Sequence, residues 1–527
     1  MQQKKLIQNL NKLNKIKKYF FYILILSSSA VFFTFSYGYK GVFPIDSFLI
    51  YDAGYKIFNG YHPFKDYWSI TGPILDYFQF FFFKLFGINW FSYVLHAATI
   101  NLLLTILVFY FFLKLGLNKN YSILYSLSSS ILAYPSVGTP FMDHHAVIFS
   151  LISLIYLILA IKLEKNIYWF VLPVLLLISF LSKQIPSSYL LILFFIAIFI
   201  HFFLISARKT DILLYLSASS ILSIIIIAFV FYANQIPFKN FLIQYINYPI
   251  GIGETRSSNI SFNFNNVISQ FKFIHFSILP LIFVLFIILK KTKKSFEIKK
   301  DILIIILSIS STLIFIYSQV LTKNQILIFF LIPFVLGMSH YFLKRYYENK
   351  IIISFLILVL IFSTSKYHLR FNVDKKFMEL SNVDLNLAIN AESLDNSIKG
   401  LKWITPNYRS DPIIEINLLS ELKESILDDG TKKIVITDYQ ILPSIVKINN
   451  TSPNKWFDFL SVPKEGDIFY EIYKDFFIRK LKEQNIETIY LTGNHEVFLV
   501  NILKKGCYEK ELINKISFKI NIKKCLR

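Results

Sequence analysis

The chain has 527 residues, of which 55% are hydrophobic and 18% aromatic, and its mean hydropathy is +0.53. This composition excludes an ordinary soluble protein and predicts many membrane-spanning helices. The formal net charge of +22 is unevenly placed, because residues 371–527 are nearly balanced, with 23 Lys/Arg and 22 Asp/Glu. The basic excess lies in short loops between apolar runs, which is the positive-inside pattern of a membrane protein and not that of a nucleic-acid-binding one.

Residues 1–18 hold six lysines and no acid, and they predict a short basic tail in the cytoplasm. The first apolar run has no A-x-A-like site after it, which favours an uncleaved anchor over a signal peptide. Lys and Arg then concentrate in alternate loops, so we expect about eleven transmembrane helices within residues 19–370. The apolar runs are 19–36, 91–113, 121–134, 146–161, 167–181, 189–206, 212–233, 273–289, 302–321, 326–343 and 351–365.

An odd number of crossings places residues 371–527 outside the membrane. In this tail, strand-like runs at 432–438 and 487–493 alternate with helix-like runs at 416–429 and 472–485. The alternation predicts a small extracytoplasmic α/β domain with a few parallel strands. The two cysteines, Cys507 and Cys525, both fall here. An outside location would allow them to form a disulfide, and the alternative is two buried thiols.

The loop at 38–90, after the first span, is the stretch that best fits catalysis, because it is too polar to span and unusually rich in acids. The predicted outward face holds six carboxylates in all: Asp46, Asp52, Asp66, Asp76, Asp143 and Glu254. Carboxylates near a bilayer are costly to desolvate, so those that are retained are candidates for function. For any single one of them taken alone, a solvated loop acid or a helix cap is the better explanation.

The short loop before the fourth span offers a candidate metal site. Asp143, His144 and His145 are consecutive there, and Asp46 could reach them from the first loop. Carboxylate oxygens suit hard divalent cations, whereas imidazole nitrogens suit transition metals. The alternative is that Asp143 caps the fourth span and that the histidines lie at the membrane interface.

Three cations stand out on the same face: Lys183, Arg256 and Lys323. A lipid-linked phosphate bound at the outer surface would need such groups to offset its charge. The alternative for each is a side chain that snorkels from a helix end to water. Lys183 is the best candidate, because Gln184 and Pro186 make its surroundings a polar break between two spans.

The chain resembles the GT-C class of membrane glycosyltransferases. Within it, the chain is most similar to protein O-mannosyltransferases, lipid A aminoarabinose transferases and bacterial lipopolysaccharide sugar transferases. The resemblance covers residues 19–365. The residues that carry it are Asp46, Ala53, G-x-x-P-F-x-D-Y at 60–67, G-P-I-L-x-Y at 72–77, K-L-F-G at 84–87, Lys183, Gln184, Pro333 and Phe334.

The resemblance implies a sugar donor on a polyprenyl phosphate and an acceptor in the cell envelope, which could be a lipid, a polysaccharide or a protein. It implies an inverting reaction at the outer face of a bacterial inner or plasma membrane, with Asp46 as general base. Lys183, Arg256 and Lys323 would bind the donor phosphate. The supporting acidic or polar groups would be Asp52, Asp66 and Gln184.

The sequence departs from the family at two points. Many members have two adjacent acids in the first loop, whereas Ser47 follows Asp46 here. The D-H-H at 143–145 is more similar to the second acidic motif of oligosaccharyltransferase catalytic subunits, some of which need a metal. Whether Asp143 and His144 bind a divalent ion therefore stays open, and no other cofactor is expected.

Two other functions compete with the transferase. A polysaccharide polymerase or flippase also handles polyprenyl-linked sugars, but a polymerase is expected to have outward loops rich in arginine. The long loop 234–272 has Arg256 as its only arginine. A secondary transporter needs ionisable groups near the middle of the membrane, and the apolar runs contain almost none.

Overall fold

The computed structural model describes residues 2–135, 138–290, 295–322, 328–374, 380–458, 460–503 and 506–523. A helical bundle is followed by a small α/β domain. The α-helices are α1 Gln2–Gly38, α2 Pro44–Ser47, α3 Leu49–Phe58, α4 Pro73–Phe86, α5 Trp90–Leu115, α6 Lys119–Leu132, α7 Met142–Leu163, α8 Asn166–Ser182, α9 Gln184–Leu204, α10 Lys209–Ala233, α11 Phe238–Phe241, α12 Tyr248–Ser258, α13 Lys272–Leu289, α14 Phe296–Thr322, α15 Leu331–Tyr346, α16 Lys350–His368, α17 Pro412–Asp428, α18 Leu442–Ile445, α19 Tyr470–Glu483 and α20 Glu496–Ile502.

Within the described residues, each of the eleven apolar runs overlaps a helix. Within the described ranges, eight helices are long and apolar enough to cross a membrane: α1 from Phe20, α5, α7, α9, α10, α13, α14 and α16. The other three runs form α6, α8 and α15, of 14, 17 and 16 residues. The chain is thus a polytopic helical membrane protein. Eight helices meet the length of a full crossing, against the eleven that the sequence predicts.

The bundle packs around α7, which is almost wholly buried, whereas most of α10 is exposed. Hydroxyl groups join the central helices: Ser179 of α8 lies 2.6 Å from the Ser150 oxygen of α7 and 2.7 Å from the Ser187 oxygen of α9. Small polar residues of this kind let helices approach closely and hydrogen-bond across an apolar interior. The exposed apolar face of α10 is suited to lipid contact.

An ion-pair network ties the helices at the end of the bundle that is predicted to face inward. Asp301 of α14 is fully buried and lies 2.8 Å from Lys162 of α7 and 2.8 Å from Arg345 of α15. The Tyr346 hydroxyl donates a third hydrogen bond, of 2.6 Å, to the same carboxylate. A buried charge requires such partners. These basic residues therefore hold the helix ends together, and they also contribute to the positive charge of the inward loops.

The α/β domain contains a two-stranded sheet and a four-stranded sheet. The strands are β1 Ile389–Asn390, β2 Lys402–Trp403, β3 Lys433–Ile436, β4 Thr488–Thr492, β5 Tyr508–Asn514 and β6 Ser517–Ile522. The larger sheet has the order β3-β4-β6-β5, with β3 and β4 parallel and the other pairs antiparallel. The two predicted strands are β3 and β4. The expectation of parallel strands throughout is wrong for the hairpin of β5 and β6.

The structure describes only one of the two cysteines in the predicted disulfide. Cys507 is disulfide-bonded and lies just before β5. Its predicted partner, Cys525, lies outside the described residues. The bond at Cys507 excludes a free thiol there, which was the alternative for this residue.

The α/β domain packs on the loop that follows the first span. The backbone amides of Gly41 and Val42 donate hydrogen bonds of 2.9 and 3.0 Å to the carbonyls of Lys402 and Ile404. The side chain of Lys56 of α3 reaches the domain and donates to the Ser452 hydroxyl at 3.1 Å. The domain therefore lies on the same side of the bundle as α2, α3 and α4.

One buried ion pair fixes this docking. Lys455 of the domain lies 2.5 Å from Asp76 of α4, and side-chain exposure is 2% and 0%. The Tyr67 hydroxyl donates to the same carboxylate at 2.9 Å, and Lys455 also donates to the carbonyls of Thr71 and Gly72. Burial raises the pKa of the Asp76 carboxyl, and the Lys455 charge acts against that rise. Every polar atom of this pair thus has a partner, as burial requires.

We expect Asp76→Asn to loosen the α/β domain, because it leaves the Lys455 ammonium buried without a counter-charge. Loss of one partner of a buried pair typically costs about 3–5 kcal/mol of folding free energy. Hydrogen–deuterium exchange should become faster in residues 71–79 and 451–457. Adding Lys455→Met should reverse part of the effect. As a control, Glu392→Gln breaks an exposed pair with Lys399 and should leave the exchange unchanged.

Candidate active site

Asp46 lies in the single turn α2, close below the α/β domain. Pro44 begins this turn, and Asp46 is only 8% exposed. The turn is held from three directions: Tyr93 and Thr139 each donate 3.0 Å hydrogen bonds to the Ser47 carbonyl, and Trp456 of the domain donates to the Ile45 carbonyl at 3.1 Å. The carboxylate therefore lies on a backbone that is fixed before any substrate arrives.

Asp143 and Lys183 form an ion pair beside this turn. Their oxygen and nitrogen are 2.5 Å apart, and the side chains are 4% and 13% exposed. Asp143 lies in the first turn of α7, whereas Lys183 separates α8 from α9. The residue at the cap of α7 is Phe141, with no side-chain hydrogen bond, so the helix-cap alternative for Asp143 is wrong. The contact that the structure shows for its carboxylate is the ion pair with Lys183.

Four of the predicted site residues come together around Lys183. Burial lowers the pKa of the Lys183 ammonium, the charges of Asp143 and Asp46 act to raise it, and the charge of Arg256 lowers it further. Asp46 and Arg256 therefore lie within electrostatic reach of this nitrogen. These two carboxylates and two cations come from four separate segments: α2, the start of α7, the break between α8 and α9, and α12.

The three residues predicted to support the site instead hold segments together. Asp52 pairs with Lys56 at 2.9 Å and accepts a long hydrogen bond from Gln440 of the α/β domain. Asp66 accepts from the backbone of residue 62 at 2.9 Å and lies 3.5 Å from Lys480. Gln184 donates to the carbonyls of residues 70 and 245 at 2.8 and 2.7 Å. Their described contacts are structural, and they shape the site indirectly.

The two residues that are proposed to bind a metal ion each contact a different group. Asp143 pairs with Lys183, whereas His144 is fully buried and its Nε2 lies 3.1 Å from the Ala133 carbonyl. Within the described part of the chain, no three His, Cys, Asp or Glu side chains are grouped so that they could hold a metal ion. The metal site therefore stays a prediction. Lys323 lies outside the described residues.

Sequence reasoning missed Lys455, although its side chain ends close to the cluster. A Cβ atom added at Gly72 would lie 3.1 Å from the Lys455 nitrogen and 3.5 Å from the carbonyl of Ser182, the residue before Lys183. Gly72 has a φ of +63°, so this close approach depends on glycine. No local signal marks Lys455, because its partner Asp76 is 379 residues away in sequence.

Comparison with known proteins gives a likeness to solved structures and none to a family model. No family model matches the chain, and no curated protein matches it. A solved structure of the archaeal oligosaccharyltransferase AglB from Archaeoglobus fulgidus, in complex with an inhibitory peptide and a dolichol-phosphate, is similar at a TM-score of 0.45 and 10% identity. The match covers 91% of this chain and 70% of that one. At this TM-score and identity, the likeness does not assign the chain to a family.

We expect Lys183→Met to lower the thermal stability of the purified protein, because it leaves the Asp143 carboxylate buried and unpaired. A deficit of about 3–5 kcal/mol is typical of such a change. The double variant with Asp143→Asn should recover most of the stability, since both charges are then absent. Lys239→Met, which removes an exposed lysine, is the matched control and should unfold like the wild type. A single variant as stable as the wild type would contradict the ion pair.

Proposed function

We propose that this protein transfers a sugar from a polyprenyl-phosphate donor to a hydroxyl group of a cell-envelope acceptor. The reaction takes place at the face of the membrane that carries the α/β domain. The observation that supports this most directly is the ion pair of Asp143 and Lys183, with Asp46 and Arg256 within electrostatic reach of the Lys183 nitrogen. A candidate base and two cations beside lipid-exposed helices suit a substrate that combines a hydroxyl, a phosphate and a lipid.

In this mechanism Asp46 is the general base. It takes the proton of the acceptor hydroxyl while the oxygen attacks the anomeric carbon of the donor sugar. The bond from that carbon to the phosphate oxygen breaks on the opposite side, so the configuration inverts, and the electron pair leaves with the phosphate. General-base help of this kind is typically worth ~10²–10⁴-fold in rate.

Lys183 and Arg256 stabilise the leaving phosphate. Charge stabilisation at a leaving oxygen is often the largest single contribution to such a reaction. The ion pair with Asp143 makes Asp143 a positioning residue, since it holds the Lys183 ammonium at 2.5 Å and fixes its direction. Arg256 is half-buried on α12 and brings a second positive charge to the same place.

The lipid chain of the donor lies along the helix that begins next to Lys183. Gln184 starts α9, and that helix exposes large apolar side chains along its length, among them Leu191, Phe195 and Phe199. A polyprenyl chain lying against this face would bring its phosphate directly to Lys183. This arrangement favours a lipid-linked donor over a water-soluble sugar nucleotide. No step of the mechanism passes through a metal ion.

We expect Asp46→Asn to reduce sugar transfer by ~10²–10⁴-fold while the protein still folds, because the amide cannot accept the hydroxyl proton. Mass spectrometry of envelope glycans from cells with the gene intact, deleted or carrying Asp46→Asn measures this. Glu254→Gln, which removes an exposed acid of α12, is the matched control and should keep the wild-type glycans.

Each other outcome of that experiment has a clear meaning. If deletion changes the glycans and Asp46→Asn does not, Asp46 is not the base, and a polymerase or flippase replaces the transferase. If neither changes them, the secondary transporter becomes the better hypothesis.

We expect Arg256→Met to lower kcat by about 10²-fold in a reconstituted transfer assay, with a smaller change in KM, because its charge acts mainly on the developing phosphate anion. Lys239→Met removes an exposed cation of the short helix α11 and should change neither constant. An equal loss in the two variants would show only a general effect of surface charge on the anionic donor.

A further inference from the structure

A pocket opens in the α/β domain at the carboxyl ends of the two parallel strands. Strand β3 leads into Asp438 and Tyr439, and β4 leads into Gly493. These residues line the pocket together with Asn407 and Tyr408. In α/β sheets, ligands bind in the crevice outside the carboxyl ends of parallel strands. The position alone therefore makes this a candidate binding site, separate from the cluster around Lys183.

Hydrogen bonds hold the lining side chains in place. The Tyr439 hydroxyl donates at 2.6 Å to Glu415, a buried carboxylate that also accepts from the Trp403 indole at 2.7 Å. The His495 Nε2 lies 2.9 Å from the Asp438 carboxylate, which remains 37% exposed. Such a pocket has its polar groups oriented before a ligand enters, which reduces the entropic cost of binding.

The chemistry of the lining suits a neutral ligand rich in hydroxyl groups. The described residues around the pocket include a carboxylate, an amide, a threonine hydroxyl and two tyrosine rings, but no lysine or arginine. The absence of a cation argues against a phosphate or other anion. A carboxylate and an amide accept and donate hydrogen bonds to neighbouring hydroxyls, and an aromatic ring packs on the C–H face of a sugar.

We propose that this pocket binds a neutral sugar unit of the acceptor, so that the acceptor is a glycan held by the α/β domain during transfer. This inference rests on the proposed function and adds the class of acceptor to it. In the site, Tyr408 contacts the sugar ring, and Asp438 and Asn407 bind its hydroxyls.

A stack of aromatic rings joins the pocket to the turn that carries Asp46. The rings of Tyr439 and Trp403 are 6.3 Å apart at an interplanar angle of 19°, and those of Trp403 and Phe48 are 5.7 Å apart at 18°. Phe48 caps α2, two residues after Asp46. The pocket and the candidate base are therefore parts of one packed unit. A glycan bound by one sugar in the pocket could extend another hydroxyl towards Asp46.

The test uses the full chain with Asp46→Asn in lipid nanodiscs, so that binding is measured without chemistry. Saturation-transfer NMR is recorded with the methyl glycosides of glucose, galactose and mannose, with N-acetylglucosamine, and with choline as a cationic probe. We expect at least one sugar to bind. Tyr408→Ala should raise its dissociation constant at least 10-fold, whereas Tyr408→Phe, which keeps the ring, should not.

The control is Lys482→Ala. Lys482 lines a second pocket of the same domain, together with Glu487, which precedes β4, and Ile522, which ends β6. The variant should leave sugar binding unchanged. The proposal is overturned if no sugar binds, if choline binds in place of the sugars, or if Tyr408→Ala and Lys482→Ala weaken binding equally. Because every protein carries Asp46→Asn, sugar binding is read independently of catalysis. If the sugar binds but the wild-type protein transfers no sugar, the proposed function is refuted and the assignment of the pocket as a sugar-binding site is kept.

Discussion

The architecture depends on one constraint: a charge removed from water must be paired. Four nearly buried carboxylates meet it by contacting lysines: Asp76 with Lys455, Asp52 with Lys56, Asp143 with Lys183 and Asp301 with Lys162. Each of the last two joins different helices of the bundle, and the first joins the α/β domain to the loop after the first span. An unpaired member would carry the full desolvation cost. The pairs therefore select one docking of the domain and one arrangement of helix ends.

The acids of the first outer loop differ in the contacts that surround them. Asp52, Asp66 and Asp76 all contact lysines that hold the α/β domain or its supporting loop, so their charges serve the fold. Asp46 lies on a turn whose backbone carbonyls accept hydrogen bonds from Tyr93, Thr139 and Trp456. These bonds fix the backbone from which the Asp46 side chain extends, and a group that must meet its substrate in one geometry needs such pre-organisation.

The sequence predicts best what depends on local pattern. Each of the eleven predicted apolar runs overlaps a helix, of which eight are long enough to cross a membrane, and β-branched runs locate β3 and β4, because each signal lies within one segment. The hairpin of β5 and β6 was missed, since β5 contains the charged run Glu509–Lys510–Glu511 and the segment resembles a charged tail. Lys455 was missed for a different reason: its role depends on a contact 379 residues away. Asp52 and Asp66 were predicted to support the site, and the structure shows their contacts with Lys56, Gln440 and Lys480, which sequence pattern does not reveal.

The contacts of the α/β domain with the residues around Asp46 and Lys183 indicate its role. Its Trp456 holds the turn of Asp46, its Lys455 ends beside the residues next to Lys183, and its Trp403 packs on Phe48. A domain that only shielded the site from water would need none of these particular contacts. A domain that presents an acceptor must be placed accurately against the base, because transfer requires the acceptor oxygen within hydrogen-bonding distance of that carboxylate. The buried ion pair and the aromatic stack hold the domain in one position against the turn of Asp46, so the docking surface and the candidate active site share the same residues.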